Sequence, residues 1–251
     1  MTEKTLPQRT LPIRGTKIGN TRAHSSTLPG KQSATGITQF HLNPVRVPDL
    51  PVQLGIKRTV DATSALCGLL VLAPALVLIA ALMKLDSKGP VFARQLHTGL
   101  NGAPFTLLTF RCRPIGLGDG YSAFQPETGV WHVTPLGRLL NSTNLGALPR
   151  LWNVLVGDLS LVGPRPHVPD LLAAGRSYSD LIQGYEYRNL MRPGLTGLAQ
   201  THGFRDPAET PRMAFRQLIS DVDYIGQFSL LLDLKIMIRT AMNAVKRRPR
   251  P

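Results

Sequence analysis

The hydrophobic and polar positions of this chain divide it into stretches of different character. Residues Met1 to Leu50 carry Ser, Thr, Pro and basic side chains without a sustained period, and Pro7, Pro12, Pro29, Pro44 and Pro48 interrupt any helix or strand. From Ala65 to Met83, nineteen residues (ALCGLLVLAPALVLIAALM) pass without a charge. At about 1.5 Å per residue, a helix of that length reaches about 29 Å, close to the hydrocarbon thickness of a bilayer. Pro74 sits near its middle, where it removes a backbone hydrogen bond. Lys57 and Arg58 precede the segment, and Lys84, Lys88 and Arg94 follow it. A crossing helix normally shows asymmetric basic flanks. The pattern therefore predicts a re-entrant helix, broken at Pro74, whose ends return to one side. Ala65, Leu70, Pro74, Leu76 and Leu82 are its expected membrane residues. A buried core helix and a true transmembrane span are the alternatives.

Beyond this segment the pattern is that of a small α/β domain. Val91–Phe92 and Phe105 to Phe110 read as strands around the turn signal Asn101-Gly102. Residues Leu136 to Leu140 and Leu148 to Leu155 read as helices, with Pro149 early in the second. Gly116 to Gly129 is a glycine-rich loop, and Gly163-Pro164-Arg165-Pro166 is a rigid one. Leu171 to Leu190 is expected to be helical with a polar break, ended by Pro193-Gly194. Pro211 to Tyr224 and Leu230 to Val245 are amphipathic helices, the apolar face of the second set by Leu231, Leu234, Met237 and Ile238. The expected organisation is a flexible basic arm (1–54), the re-entrant helix with its lead-in (55–90), an α/β domain (91–245) and a basic tail (246–251).

Charge sharpens the picture. The chain has 29 Lys plus Arg against 15 Asp plus Glu, a net charge of +14, which favours polyanions: nucleic acid, an anionic bilayer face or phosphorylated substrates. Nucleic acid fits poorly, because basic residues flank an apolar segment and no groove-reading motif occurs. The two cysteines, Cys67 and Cys112, have no metal or redox spacing, and the six histidines form no HxxxH pair. The first fifty residues hold no secretory signal. Their seven basic side chains against two acids read as a solvated tail or a tether to anionic lipid.

Several motifs in order carry a resemblance. They are Lys57-Arg58 with Asp61; Lys88-Gly89-Pro90-Val91-Phe92; Arg94-Gln95 with Gly99, Asn101-Gly102 and Phe105; and Phe110-Arg111. The strongest runs from Leu148-Pro149 through Leu151-Trp152-Asn153-Val154-Leu155 to Gly157-Asp158-Leu159-Ser160-Leu161-Val162-Gly163-Pro164-Arg165-Pro166. Arg192-Pro193-Gly194-Leu195-Thr196-Gly197-Leu198-Ala199-Gln200, Gly203-Phe204-Arg205 and Asp223-Tyr224-Ile225 with Asp233 follow. From about Gly55 to Lys246 the chain resembles the bacterial sugar transferases, monotopic polyprenyl-phosphate phosphoglycosyl transferases, and in particular the exopolysaccharide-initiating subgroup. The resemblance implies a site at the cytoplasmic face of the bacterial inner membrane. There a sugar-1-phosphate passes from a nucleotide sugar such as a UDP-sugar to polyprenyl phosphate. In the family an Asp-Glu pair before the Leu-Pro supplies the covalent nucleophile and, with Mg²⁺, neutralises phosphate charge.

This chain departs at that point. Gly146 and Ala147 stand where the family places Asp and Glu. Leu96-His97 replace a usual Glu-Arg, Thr109 a usual Lys, and Asn141 a usual Arg. The scaffold motifs remain while charges of the catalytic centre are gone. No catalytic residue and no metal ligand is therefore assigned, and Mg²⁺ is expected only if the protein is active. Asp158, Asp119 with Glu127, His97 and His132 are alternative reactive groups, each with a simpler structural reading. Arg111, Arg165, Arg192 and Gln200 are the expected phosphate-binding residues. Trp152-Asn153 read as packing and a local cap, and Asp223-Tyr224 as a tie between the C-terminal helix and the body. Partners on this reading are membrane lipids, polyprenyl phosphate, a nucleotide sugar, and an active paralogue or other polysaccharide-assembly proteins. Three readings stay open: a catalytically impaired transferase homologue, a transferase using substituted residues, and a membrane-anchored binding or regulatory protein.

Overall fold

The computed structural model describes residues 31–32, 38–86, 89–112, 134–169, 171–173, 175–204, 208 and 210–245. The expected basic tail, the glycine-rich loop with Asp119 and Glu127, His132, and all of the arm up to residue 30 lie outside the described residues.

Short strands β1 (Lys31–Gln32) and β2 (Thr38–His41) precede the long helix α1 (Pro51–Asp86). A hairpin follows, β3 (Phe92–Thr98) and β4 (Pro104–Phe110), paired antiparallel with Phe92 opposite Phe110 and His97 opposite Phe105. Its turn puts Asn101 and Gly102 at positive φ (53° and 79°), the left-handed conformations that an Asn-Gly pair adopts most readily. Helices α2 (Pro135–Thr143) and α3 (Arg150–Val156) come next. Thr134 caps α2 through its hydroxyl on the Gly137 amide, and Pro149 leads into α3. Then come β5 (Ser160–Val162), β6 (Leu172–Ala173), β7 (Arg176–Ser177), α4 (Tyr178–Leu181), β8 (Ile182–Gln183), β9 (Gly194–Thr196), α5 (Leu198–Thr201), α6 (Pro211–Gly226) and α7 (Leu230–Val245).

The fold is mixed α/β, with the apolar helix ahead of the domain, and it differs from the expected pattern in four places. Residues 171–190 are not one helix. Gly175 and Gly184 adopt positive φ (76° and 85°), and Ile182–Gln183 instead pair in parallel with Phe40–His41. A backbone ladder with a distant strand wins over local helical propensity. The expected flexible arm gives its last stretch to the body: Phe40 and Leu42 are buried with Tyr178, Leu181, Ile182 and Leu218. Strand β3 is longer than expected because it pairs with β4 along seven residues. Pro74 lies inside α1, which runs as one helix on both sides of it.

One face of α1 packs along the domain over nearly its whole length. Leu54 meets the cluster of Val162, Tyr224, Ile225, Phe228 and Ile236. Ala65 is fully buried against Phe105, Leu107, Val154 and Leu159. Ile79 and Met83 close a third cluster with Phe110 and Leu140. The spacing follows the helical period of 3.6 residues. The opposite face presents Val60, Leu66, Leu70, Val71, Val77, Leu78 and Leu82, all exposed.

A buried polar network fixes the start of α1. The Lys57 ammonium donates to the Asp233 carboxylate (2.6 Å) and the Val162 carbonyl (2.9 Å). Asp61 accepts from the Ser160 hydroxyl (2.6 Å) and the Leu161 amide (3.1 Å). The Tyr224 hydroxyl donates to Asp233 (2.8 Å). Each buried charge thus meets an opposite charge or hydrogen-bond donors, the condition under which burial is tolerated. Burial raises the Asp233 pKa and Lys57 opposes it, while burial and the Asp233 charge push the Tyr224 phenol well up.

Candidate substrate site

Gly146 and Ala147 lie in a 3-10 turn, Leu145–Ala147, between α2 and α3. Asn144 enters it in the left-handed conformation (φ 60°), a geometry asparagine tolerates better than most residues. The end of β4 runs against this turn. A Cβ placed on Gly146 would meet the Cys112 sulfur at 3.4 Å and the Leu140 carbonyl oxygen at 3.7 Å, both ordinary contacts. Local space therefore admits an aspartate Cβ at Gly146; the missing element is the carboxylate. Arg111 directly precedes Cys112, and its amide donates to the Val91 carbonyl at 3.0 Å. The structure thus brings the Arg111 segment to the position where the family's acidic pair is expected.

Mg²⁺ takes oxygen ligands from one or two carboxylates together with substrate phosphates. Gly146 and Ala147 offer no side-chain oxygen. Among the described residues, no group of three or more His, Cys, Asp or Glu side chains is arranged to hold a metal ion. The donor set at this turn does not fit the family's metal.

A cationic cluster stands on the other side of the Leu148-Pro149 step. Arg150 opens α3, Arg165 sits in the loop after β5, His97 is next to last in β3 and His167 lies two residues past Arg165. Burial lowers the Arg150 pKa first, and the neighbouring Arg165 charge lowers it further. The buried Nε of Arg150 has no hydrogen-bond partner. His97 is only 7 % exposed and is held near pKa 4, by burial first and then by Arg150. Burial, with Arg188 and Arg165 behind it, takes His167 well below its usual value. Both imidazoles are therefore neutral at physiological pH. Two guanidinium groups close enough to perturb one another disfavour their shared charge, and an anion between them reverses that cost. The sequence pattern alone does not single out Arg150. Its signal was a basic side chain directly after the Leu-Pro step, with no acid in the adjacent motif to pair it.

The Arg165 loop is held from behind at its backbone. Arg188 donates through Nη2 to the Arg165 carbonyl and, at 3.1 Å, to the Asp221 carboxylate. The Arg165 amide in turn bonds to Asp221. Burial raises the Asp221 pKa, and Arg188 together with that amide draws it back down. One buried ion pair therefore clamps both backbone polar groups of Arg165. The loop also depends on close backbone crossing. A Cβ on Gly194 would sit 2.1 Å from the Gly163 nitrogen, and one on Gly197 would sit 2.2 Å from the Gly163 oxygen. Only glycine fits at these crossings.

The remaining expected site residues fall elsewhere. Arg192 donates through Nε to the Gly157 carbonyl (3.0 Å), while Arg58 donates to Val154 (2.6 Å) and Leu155 (2.7 Å). Two arginines thus satisfy the free carbonyls at the end of α3, which makes Arg192 a brace of that end. Gln200 lies on α5, packed near α6 and α7. Asp158 accepts from Asn153 (3.2 Å), and Asn153 also joins α3 to β4 through Thr106 and Leu108. Trp152 projects outward, 52 % exposed. Of the expected membrane residues, Leu70, Pro74 and Leu82 face away from the body, whereas Ala65 is buried and Leu76 packs toward Phe110 and Leu140. The apolar stripe of α7 divides similarly: Leu231, Leu234 and Ile238 are exposed, and Ile236 carries the buried face.

The chain is similar in sequence to known proteins. The family model described as bacterial sugar transferase matches residues 52–247. The chain is 40% identical over 196 residues to an exopolysaccharide production protein, PSS, of Rhizobium leguminosarum bv. phaseoli, covering 78% of this chain and 98% of that one. It is 44% identical over 187 residues to a UDP-glucose:undecaprenyl-phosphate glucose-1-phosphate transferase of Caulobacter vibrioides (73% and 67% covered). An undecaprenyl-phosphate glucose phosphotransferase of Komagataeibacter xylinus is 39% identical over 184 residues, 35% of its length.

Proposed function

This chain belongs to the bacterial sugar transferase family, and on that premise we propose that it is a membrane-associated component of exopolysaccharide assembly that binds a nucleotide sugar and polyprenyl phosphate without performing the family's covalent step. The observation that carries this reading is the turn at Gly146-Ala147. It lies beside the Arg111 segment but offers no carboxylate, while Arg150 and Arg165 gather positive charge near it. Covalent phosphoryl transfer without its nucleophile loses orders of magnitude in rate, whereas phosphate binding by guanidinium groups does not depend on that nucleophile.

The membrane part of the reading rests on exposed apolar surface. Leu70, Val71, Val77, Leu78 and Leu82 on α1 are all more than 40 % exposed, an arrangement that water disfavours at roughly 1.5–3 kcal/mol per large side chain. Both ends of α1 pack on the same domain, through Lys57 and Asp61 at one end and Ile79 and Met83 at the other. A helix crossing the bilayer alone would leave one end without those partners. The chain therefore lies at one membrane face, which for a cytoplasmic nucleotide sugar is the inner one. The relatives named for undecaprenyl phosphate and UDP-glucose support the two phosphorylated ligands.

The test is nucleotide release with binding measured in parallel. Purified protein in detergent is given UDP-glucose or UDP-galactose, polyprenyl phosphate and Mg²⁺, and UMP is followed for hours. Saturable binding without lipid-dependent UMP is the expected result. Lipid-dependent release that disappears in Arg111→Ala would establish an active transferase and overturn the impaired reading.

A further inference from the structure

The last helix of the domain, α7, turns one face outward, and that face is ordered into two strips. At about 100° per residue, Leu231, Leu234, Ile238 and Met242 fall within an arc of about 80°. They are 49 to 70 % exposed. Lys235 and Arg239, also exposed, run beside them as a second strip, one helical turn apart. The opposite face is fastened to the body. Asp233 accepts from Lys57 and the Tyr224 hydroxyl, Ile236 is buried with Val162 and Phe228, and the Thr240 hydroxyl lies 2.7 Å from that of Thr196 on β9. These contacts fix the roll of α7, so the two strips cannot turn inward without breaking them.

The chemistry of the open face says what covers it. Asp233 is the single acidic residue of α7 and it is buried, so the charge on the open face is entirely positive. The apolar strip holds no aromatic side chain, whereas protein–protein anchors favour Trp, Tyr and Arg and keep charge away from their centre. An aliphatic strip edged by cations instead matches an anionic bilayer, with carbon in the acyl boundary and the charged heads at the lipid phosphates. The face also adjoins the exposed apolar surface of α1. The two helices meet where Lys57 reaches Asp233, and within one turn of that contact Ile56 and Val60 on α1 and Leu231 and Leu234 on α7 are exposed.

We propose that α7 lies in the headgroup plane as a second membrane contact, selective for anionic phospholipid. Leu231, Leu234, Ile238 and Met242 enter the acyl boundary, and Lys235 and Arg239 hold lipid phosphates. The proposal rests on the membrane reading of α1 above and adds a lipid class and the residues that recognise it. On this division α1 supplies insertion into any bilayer, and α7 supplies the dependence on headgroup charge. Each basic residue near an anionic surface strengthens binding about fivefold, the equivalent of about 1 kcal/mol, so losing two weakens this contact about thirtyfold.

The test uses the full-length protein reconstituted into vesicles of phosphatidylcholine, alone or with about one third phosphatidylglycerol, so that α1 holds it in both. A fluorophore at Ile238→Cys, in a background of Cys67→Ala and Cys112→Ser, reports quenching by nitroxide-labelled lipid. Quenching at least about threefold stronger in the anionic vesicles is expected. Lys235→Gln with Arg239→Gln should return it to the neutral-vesicle value. The melting temperature in detergent should stay unchanged in that double variant, because both side chains are exposed, and it serves as the control for folding. Equal quenching in the two vesicle types, or quenching that the double variant leaves intact, overturns the selectivity. A label unquenched by lipid, in protein that still floats with the vesicles, overturns the α7 contact and leaves the membrane reading of α1 intact. Failure to float at all overturns both. A label shielded from aqueous iodide but unquenched by lipid, in copies that cross-link through Ile238→Cys, would assign the face to a second copy and overturn the lipid proposal.

Discussion

Replacing Lys57 by methionine tests what ties the apolar helix to the body. Lys57 is 7 % exposed, and its ammonium serves the Asp233 carboxylate at 2.6 Å and the Val162 carbonyl at 2.9 Å, with Asp61 at 3.9 Å. Methionine keeps much of the stem volume and removes the charge. Asp61 retains the Ser160 hydroxyl and the Leu161 amide, but Asp233 is left with the Tyr224 hydroxyl. Removing one member of a buried ion pair costs about 3–5 kcal/mol, because the other charge stays buried. Burial already raises the Asp233 pKa and Lys57 holds it down, so the variant raises it further. The variant's deficit is thus largest at neutral pH and shrinks as pH falls and Asp233 takes up a proton. A second variant, Lys57→Met with Asp233→Asn, discards both charges and keeps an acceptor for Tyr224. It should recover more than half of the loss. Urea unfolding in a mild detergent, followed by near-ultraviolet circular dichroism at pH 7 and pH 5, measures all three proteins. A Lys57→Met loss below about 1 kcal/mol at pH 7, or a double variant no better than the single, would refute the argument that this network anchors α1.

Four further outcomes follow from the same geometry. Gly146→Asp with Ala147→Glu should restore little UMP release despite the room at Gly146, because His97, Thr109 and Asn141 also stand where the family carries charge; full turnover by the pair would show that only the dyad was lost. The unfolded chain protonates His97 near pH 6.5 while the folded one resists until about 4, so stability present above pH 6.5 is lost toward pH 4, by about 3 kcal/mol through His97 at 1.36 kcal/mol per pH unit. Burial of Asp221 works in the opposite direction, so Asp221→Asn should steepen the acid loss seen in thermal melts. Gly197→Ala drives a methyl group to 2.2 Å from the Gly163 oxygen and should lower stability by about 3 kcal/mol or more, with pyrophosphate affinity falling as the Arg165 loop shifts; an unchanged melting temperature would contradict the crossing.

Local chemistry made several elements legible. Asn101-Gly102 carries its own turn preference, Leu136 to Leu140 reads as the helix that falls within α2, and the 3.6-residue period sets α7 at Leu230–Val245. The loss of carboxylates at Gly146 and Ala147 was likewise visible, since no fold supplies an oxygen that the side chain lacks. Which face of a periodic helix turns inward was not. Leu231, Leu234 and Ile238 are as apolar as Ile236, and only packing against Val162 and Phe228 decides that Ile236 is buried and the others are exposed. The same holds for Ala65 against Leu70 on α1. Arg150 and Arg192 show the limit most clearly. Arg192 belongs to a matched motif and Arg150 stands between two matched stretches, yet Arg150 joins His97 and Arg165 while Arg192 braces Gly157. Sequence determines which groups can bear charge, form turns or bury carbon, because those are properties of a residue and its near neighbours. Tertiary structure decides which charges meet and which apolar faces stay open, because these depend on distances between segments as far apart as Lys57 and Asp233.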